Sequence, residues 1–164
     1  DIGASTAWRL GTSYLQTSPQ ARAYADTDAI GGAVTNSFTG TAKLWGLDGV
    51  VKWAPNGNAR YNSFKLQGEY FRFRQDGTLT YDDTGGSAVF GSLTDGFQTS
   101  QSGWYLQGVY QFVPRWRVGL RTERLDAGAV AYVAPTLFDA NGYRPRKNTL
   151  MVDFSASEFS RLRL

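Results

Sequence analysis

The sequence predicts an all-β fold of antiparallel strands, each with one apolar and one polar face. Three observations lead there. Seven segments alternate apolar and polar residues with a period of two, the connections between them alternate short and long, and large aromatics gather at both ends of the apolar face. Period-two alternation marks a half-buried strand, because successive side chains leave the backbone on opposite faces. No i, i+3, i+4 apolar stripe competes with it. A composition of 15% aromatics and 19 Gly suits strands joined by flexible loops.

The segments follow in order. In 5–16, Trp8, Leu10, Thr12 and Tyr14 share one face and Arg9, Gly11 and Ser13 the other. In 43–53, Trp45, Leu47, Val51 and Trp53 oppose Leu44, Gly46, Asp48, Val50 and Lys52. In 61–73, Phe64, Leu66, Gly68 and Tyr70 oppose Lys65, Gln67 and Glu69. Segment 102–113 sets Trp104, Leu106, Gly108, Tyr110 and Phe112 against Tyr105, Gln107, Val109 and Gln111. Segment 116–125 sets Trp116, Val118 and Leu120 against Arg117, Gly119, Arg121 and Glu123. In 147–154, Leu150, Val152 and Phe154 oppose Thr149, Met151 and Asp153, and in 159–164, Leu162 and Leu164 oppose Arg161 and Arg163.

Ala54–Arg60, Val113–Arg115 and Ser155–Glu158 read as tight turns, whereas 17–41, 75–101 and 126–146 read as long polar loops. Loops of that length are uncommon inside a compact soluble domain. Short turns on one rim and long loops on the other are the arrangement of outer-membrane barrels. With the short-turn rim taken as periplasmic, Trp8, Trp53, Phe64, Phe112, Trp116 and Phe154 lie near that end of the outward face. Tyr14, Trp45, Tyr70 and Trp104 lie near the external end. The span from Trp45 to Trp53, like that from Trp104 to Phe112, is roughly 26 Å along a strand. At a tilt of about 40° it covers about 20 Å of height, close to an apolar band between two aromatic girdles.

The expected fold is therefore an antiparallel up-and-down transmembrane β-barrel, with 1–164 forming a single domain. Bacterial barrels close with an even number of strands, and hydrocarbon does not tolerate unpaired edges. Seven strands therefore imply either part of a longer barrel, continuing beyond Asp1, Leu164 or both, or a sheet that closes only with strands from elsewhere.

The inward face carries Arg9, Asp48, Lys52, Lys65, Glu69, Arg117, Arg121, Glu123, Asp153, Arg161 and Arg163. Unpaired charges are costly in a dry core, and a wet lumen removes most of that cost. Arg117, Arg121, Arg161 and Arg163 admit two readings. One is a basic ladder attracting anions; the other, which we prefer, is a network with Asp153, Glu123 and Glu69.

The chain has no Cys and no His, so thiolate metal sites, disulfides and Ser-His or Cys-His catalytic pairs are excluded. No enzyme activity, cofactor or metal is expected. No apolar run is long enough for a transmembrane helix, and a net charge of +3 gives no indication of nucleic acid. Asp26, Asp28, Asp82 and Asp83 read as turn chemistry rather than a calcium site. Glu69 and Asp153 have nothing to fix them as a hydrolytic pair, and Gly85-Gly86 reads as loop flexibility.

Several stretches carry a resemblance: 52–58 (KWAPNGN), 64–71 (FKLQGEYF), 100–111 (SQSGWYLQGVYQ), 114–121 (PRWRVGLR) and 157–164 (SEFSRLRL). They resemble proteobacterial outer-membrane porin-like barrels often labelled zinc-regulated TonB-dependent outer-membrane receptors. The likeness covers nearly the whole chain, loops excepted. It implies a place in the bacterial outer membrane, contact with its lipid and lipopolysaccharide, and transport of a small polar solute. No binding residue of the family is carried onto this chain. The functional expectation is a channel or receptor barrel passing a small polar solute or ion through a charged lumen. The alternatives are a narrow structural barrel filled by its own side chains and a soluble β-sandwich or lipocalin-like binding module. Strand number separates the first two, and detergent dependence separates both from the third.

Overall fold

A computed structural model of the protein describes residues 4–28, 30–134, 137, 144–157 and 160–163. The strands are β1 (Thr6–Thr17), β2 (Arg22–Thr27), β3 (Ala33–Trp53), β4 (Ser63–Asp82), β5 (Ser92–Val113), β6 (Trp116–Ala131), β7 (Arg146–Ser157) and β8 (Ser160–Arg163). All pair antiparallel in one sheet of order β1-β3-β4-β5-β6-β7-β8, with β2 also on β3. Consecutive long strands are thus neighbours, the simplest up-and-down meander. β1 pairs with the Ala42–Trp53 part of β3 and β2 with its Ala33–Phe38 part. The break between β1 and β2 contains Pro19, which has no N–H for a ladder; its carbonyl instead accepts from the Gly40 amide at 3.0 Å.

A strand runs through each of the seven predicted segments, with Phe159 and Leu164 of the last outside the described residues. The strand number and the long loops are corrected. The described strands number eight rather than seven, in an open sheet: among the described residues no ladder joins the β1/β2 edge to β8. The sheet is nevertheless curved, because Ala7 of β1 and Arg163 of β8 line one concavity of about 820 Å³. The other correction concerns the stretches 17–41, 75–101 and 126–146. They are not simply loops, since they hold β2, the far halves of β3, β4 and β5 and the end of β6. Of the turn expected at Ser155–Glu158, the residues from Ser155 to Ser157 lie within β7; Glu158 lies outside the described residues.

β3, β4 and β5 are 21, 20 and 22 residues long, about twice what a tilted strand needs to cross a bilayer. Their lower halves, toward the short turns, and their upper halves have opposite polarity. On lower β4 the outer face is Phe64, Leu66, Gly68 and Tyr70. From Arg72 upward the same face reads Arg72, Arg74, Asp76, Thr78 and Thr80. The inner face changes the other way, from Lys65, Gln67 and Glu69 to Leu79 and Tyr81, which are buried. β3 does the same: outer Trp45–Trp53 gives way to Thr35, Ser37, Thr39, Thr41 and Lys43, and buried Val34, Phe38 and Ala42 replace inner Asp48 and Lys52. The upper half therefore has an apolar core on the concave side, formed by Val34, Phe38, Leu79, Tyr81, Phe97 and Tyr132.

Two backbone devices allow the change. Gly40 and Gly77 face each other across β3–β4. A Cβ on Gly40 would stand 2.6 Å from Gly77 Cα, so only glycine permits this approach. On β6 a bulge sets Ala127 and Gly128 opposite Gln101 alone, with Gly128 at φ 69°. One extra residue reverses the facing of everything beyond it. Arg117, Arg121 and Glu123 are inner residues below the bulge; Val130 and Tyr132 are inner residues above it. The single proton of the Tyr132 hydroxyl is shared between the carbonyls of Leu93 (2.8 Å) and Leu79 (3.3 Å), and its ring meets Phe97 edge-on at 6.0 Å.

Candidate functional site: an apolar outer band around a charged inner face

The lower outer face is apolar and uncovered. Strand alternation and register place its residues in rows. One row holds Trp8, Val51, Leu66, Gly108, Leu120 and Leu150; another holds Trp53, Phe64, Tyr110, Val118 and Val152. Leu10, Leu120, Leu150 and Leu162 are each more than 60% exposed or at that value, and Trp45 is 56% exposed. A continuous surface of this kind is far larger than the scattered apolar residues of a soluble monomer. Directly opposed aromatics strengthen it at its two ends: the Tyr14 ring packs tilted against Trp45 at 4.5 Å and the Trp116 ring tilted against Phe154 at 4.7 Å.

The inner face of the same half is polar and organised around carboxylates. Asp153, 1% exposed, accepts from Arg163 Nε at 2.7 Å and Nη2 at 3.1 Å, and Arg117 approaches it at 4.0 Å. Arg121 pairs with Glu123 at 2.7 Å and lies over the Tyr105 ring at 4.2 Å, while Lys147 reaches Glu123 at 4.0 Å. Arg9 and Asp48 form a looser exposed pair at 3.6 Å. Lys52 and Lys65 stand directly opposite each other on β3 and β4, and neither has an ion pair among the described residues. Both line the 820 Å³ concavity with Arg117, Arg163 and Asp153. Among the described residues that line it, four cations stand against one carboxylate.

At the other end, the acidic loop residues tie loops together. The Asp28 carboxylate accepts from the amides of Ile30 (3.0 Å), Gly32 (2.6 Å) and Ser87 (3.1 Å), joining the β2–β3 and β4–β5 connections. The Ser87 hydroxyl first, and these amides after it, hold its carboxyl below the ordinary range. Asp82 is lowered likewise by Thr84, and Asp83 accepts from the Phe90 amide at 3.0 Å. Both Asp28 oxygens, engaged by N–H donors, are poorly placed for a cation. Among the described residues no acidic group of three or more is placed to hold a metal ion.

Sequence comparison yields a relative, not a family. A protein of Aquifex aeolicus (strain VF5), described as uncharacterized, is 31% identical over 134 residues, which cover 79% of this chain and 24% of the relative. The chain thus spans about a quarter of the relative's length. No protein-family model matches the chain, and no solved structure matches it.

Most residues singled out from sequence fall where the alternation puts them. Trp8, Tyr14, Trp45, Trp53, Phe64, Tyr70, Trp104, Phe112 and Trp116 are exposed on the outer face. Phe154 departs from this, half-buried beneath Trp116. Arg117, Arg121 and Arg163 join Asp153 and Glu123 in the expected network. Glu69 does not: it stands opposite Asp48, with no ion pair among the described residues. The Arg161 side chain lies outside the described residues. Glu69 and Asp153 lie on β4 and β7, with two strands between them. Sequence reasoning missed the upper core and the outer cations Lys43, Arg72, Arg74, Arg124 and Arg146. The inverted alternation of Val34-Thr35-Asn36-Ser37-Phe38 was the available signal.

Proposed function

We propose that this sheet is part of the wall of an outer-membrane β-barrel that passes a small polar solute or ion along a charged lumen. The observation that carries the reading is the change of polarity half-way up β3, β4 and β5. A soluble sheet has no reason to show an apolar outer face over one half of three adjacent strands and a polar one over the other. A bilayer supplies one: the lower half is wrapped in hydrocarbon and faces a wet interior, and the upper half stands in water and builds its own core. The resemblance to porin-like outer-membrane barrels points the same way.

Hydrocarbon also requires that the edges at β1 and β8 be paired. The barrel is therefore closed by strands beyond these eight, for which a homologous protein roughly four times the aligned length leaves room. Among the described residues no helix covers either edge, consistent with both being sheet interior. The test is membrane insertion of the full-length protein, read by heat-modifiable gel mobility, followed by conductance in planar bilayers. Insertion with discrete conductance steps is expected. A protein that is monomeric and soluble without detergent would overturn the reading and make the outer aromatics a protein contact. Insertion without conductance would favour the narrow structural barrel.

A further inference from the structure

Where the outer face turns from apolar to polar, it is basic. Lys43 on β3, Arg72 and Arg74 on β4, Arg124 on β6 and Arg146 on β7 are the outer-face residues at or just above the aromatics Trp45, Tyr70 and Trp104. Register brings them into two directly opposed pairs, Lys43 with Arg74 and Arg124 with Arg146. Like charges facing each other on neighbouring strands repel, and none of the five has an ion pair among the described residues. The nearest outer carboxylates do not balance them. Asp126 is held by Arg144 at 3.2 Å, and Asp76 is a single charge one outer position above Arg74. Between the two pairs β5 presents only Ser100 and Ser102, with Arg72 Nη2 3.4 Å from the Ser100 hydroxyl. The result is a shallow seat walled by cations, at the height where headgroups meet the strands.

We infer that this belt binds the phosphate groups of anionic lipid in the leaflet at the long-connection end. The inference rests on the membrane reading above. Guanidinium groups match phosphate oxygens two at a time, and a phosphate seated between opposed cations removes their mutual repulsion. Free phosphate lacks the acyl chains that would rest on Trp45, Tyr70 and Trp104 directly below, so the occupant is a lipid headgroup. The serines of β5 leave room for its sugar or glycerol body. Basic residues at a bilayer surface gain attraction for anionic headgroups approximately one by one, so five together make a lasting contact.

The experiment reconstitutes the full-length protein in phosphatidylcholine vesicles containing either lipid A or lipid A stripped of its phosphates. Glycolipid retained through detergent extraction is then counted by native mass spectrometry. Retention of the phosphorylated form, weakened by salt, is expected. It should fall by at least about tenfold for the dephosphorylated form and for the triple variant K43E/R72E/R74E. Equal retention of the two lipids by the unaltered protein would overturn the inference, and that comparison needs no variant to fold. Undiminished retention by R124E/R146E and by the triple variant would overturn it as well. Failure of the unaltered protein to insert in any vesicle would instead overturn the membrane reading, and this inference with it.

Discussion

Tyr132 offers the sharpest energetic test of the two-part sheet. It reaches the inner face only because of the bulge at Ala127–Gly128, and there it donates to the carbonyls of Leu79 and Leu93 while its ring closes over Phe97. Tyr132→Phe removes the hydroxyl and keeps the ring. Removing this one shared donor from a buried site costs about 1–2 kcal/mol. Tyr132→Ala also removes a ring that is 8% exposed, for a loss of about 3–5 kcal/mol. Deleting Ala127 restores the register, turns Tyr132 outward and should cost as much as the alanine variant. The assay is hydrogen exchange of the full-length protein, resolved by peptide. For Tyr132→Phe, amides in 33–38, 78–82 and 93–99 should exchange about 5–30-fold faster. Those in 45–53, 64–70 and 104–112 should be unchanged. Equal acceleration in both halves, or none in the upper half, would refute the argument that the upper core is a separate cooperative unit.

Other outcomes follow from the same geometry. Charge reversal at the mouth of the inner face, K52E/K65E, should move the reversal potential in a salt gradient toward cation preference from an anion-preferring wild type; an unmoved potential would mean that these lysines do not face the conduction path. Gly40→Val should strain the approach to Gly77 and cost about 1–3 kcal/mol, read as a lower denaturant midpoint for the upper half. The Asp28 carboxyl is lowered in the folded protein, so its contribution is present above its ordinary value of 3.8 and is lost as pH falls below that toward the folded value. The amide signals of Gly32 and Ser87 should therefore shift only in that acid range, and Asp28→Asn should abolish the step.

The lower half was legible because its alternation is unbroken: Trp45-Gly46-Leu47-Asp48 and Trp104-Tyr105-Leu106-Gln107 each assign a face residue by residue. The upper half was not, for two physical reasons. Above Lys43, Arg72 and Arg74 the outer residues of β3 and β4 are Thr, Ser and Asp, and the inner face mixes Asn36, Thr99 and Gly77 among the apolar residues, so the stretch reads as polar loop. Its alternation also runs in opposite phase to the half below, which makes sense only once the strand is known to continue. The bulge at Gly128 has no sequence signature beyond one glycine among several. The inner charges were legible as a set but not as partners. Asp153 takes two arginines because β6, β7 and β8 bring Arg117 and Arg163 to either side of it, and Lys52 and Lys65 are left facing each other by a register that alternation alone does not fix.

The most direct test of the central claim is a spin-label accessibility scan along β4, from 63 to 82, in the full-length protein reconstituted in lipid. Oxygen reports lipid and a water-soluble nickel complex reports solvent. Even positions from 64 to 70 should be open to oxygen and closed to nickel. Above Arg72, even positions should become open to nickel, and positions 79 and 81 should be closed to both. Protection of positions 64 to 70 from both reagents would contradict the account, because the apolar band would then be covered by protein rather than lipid.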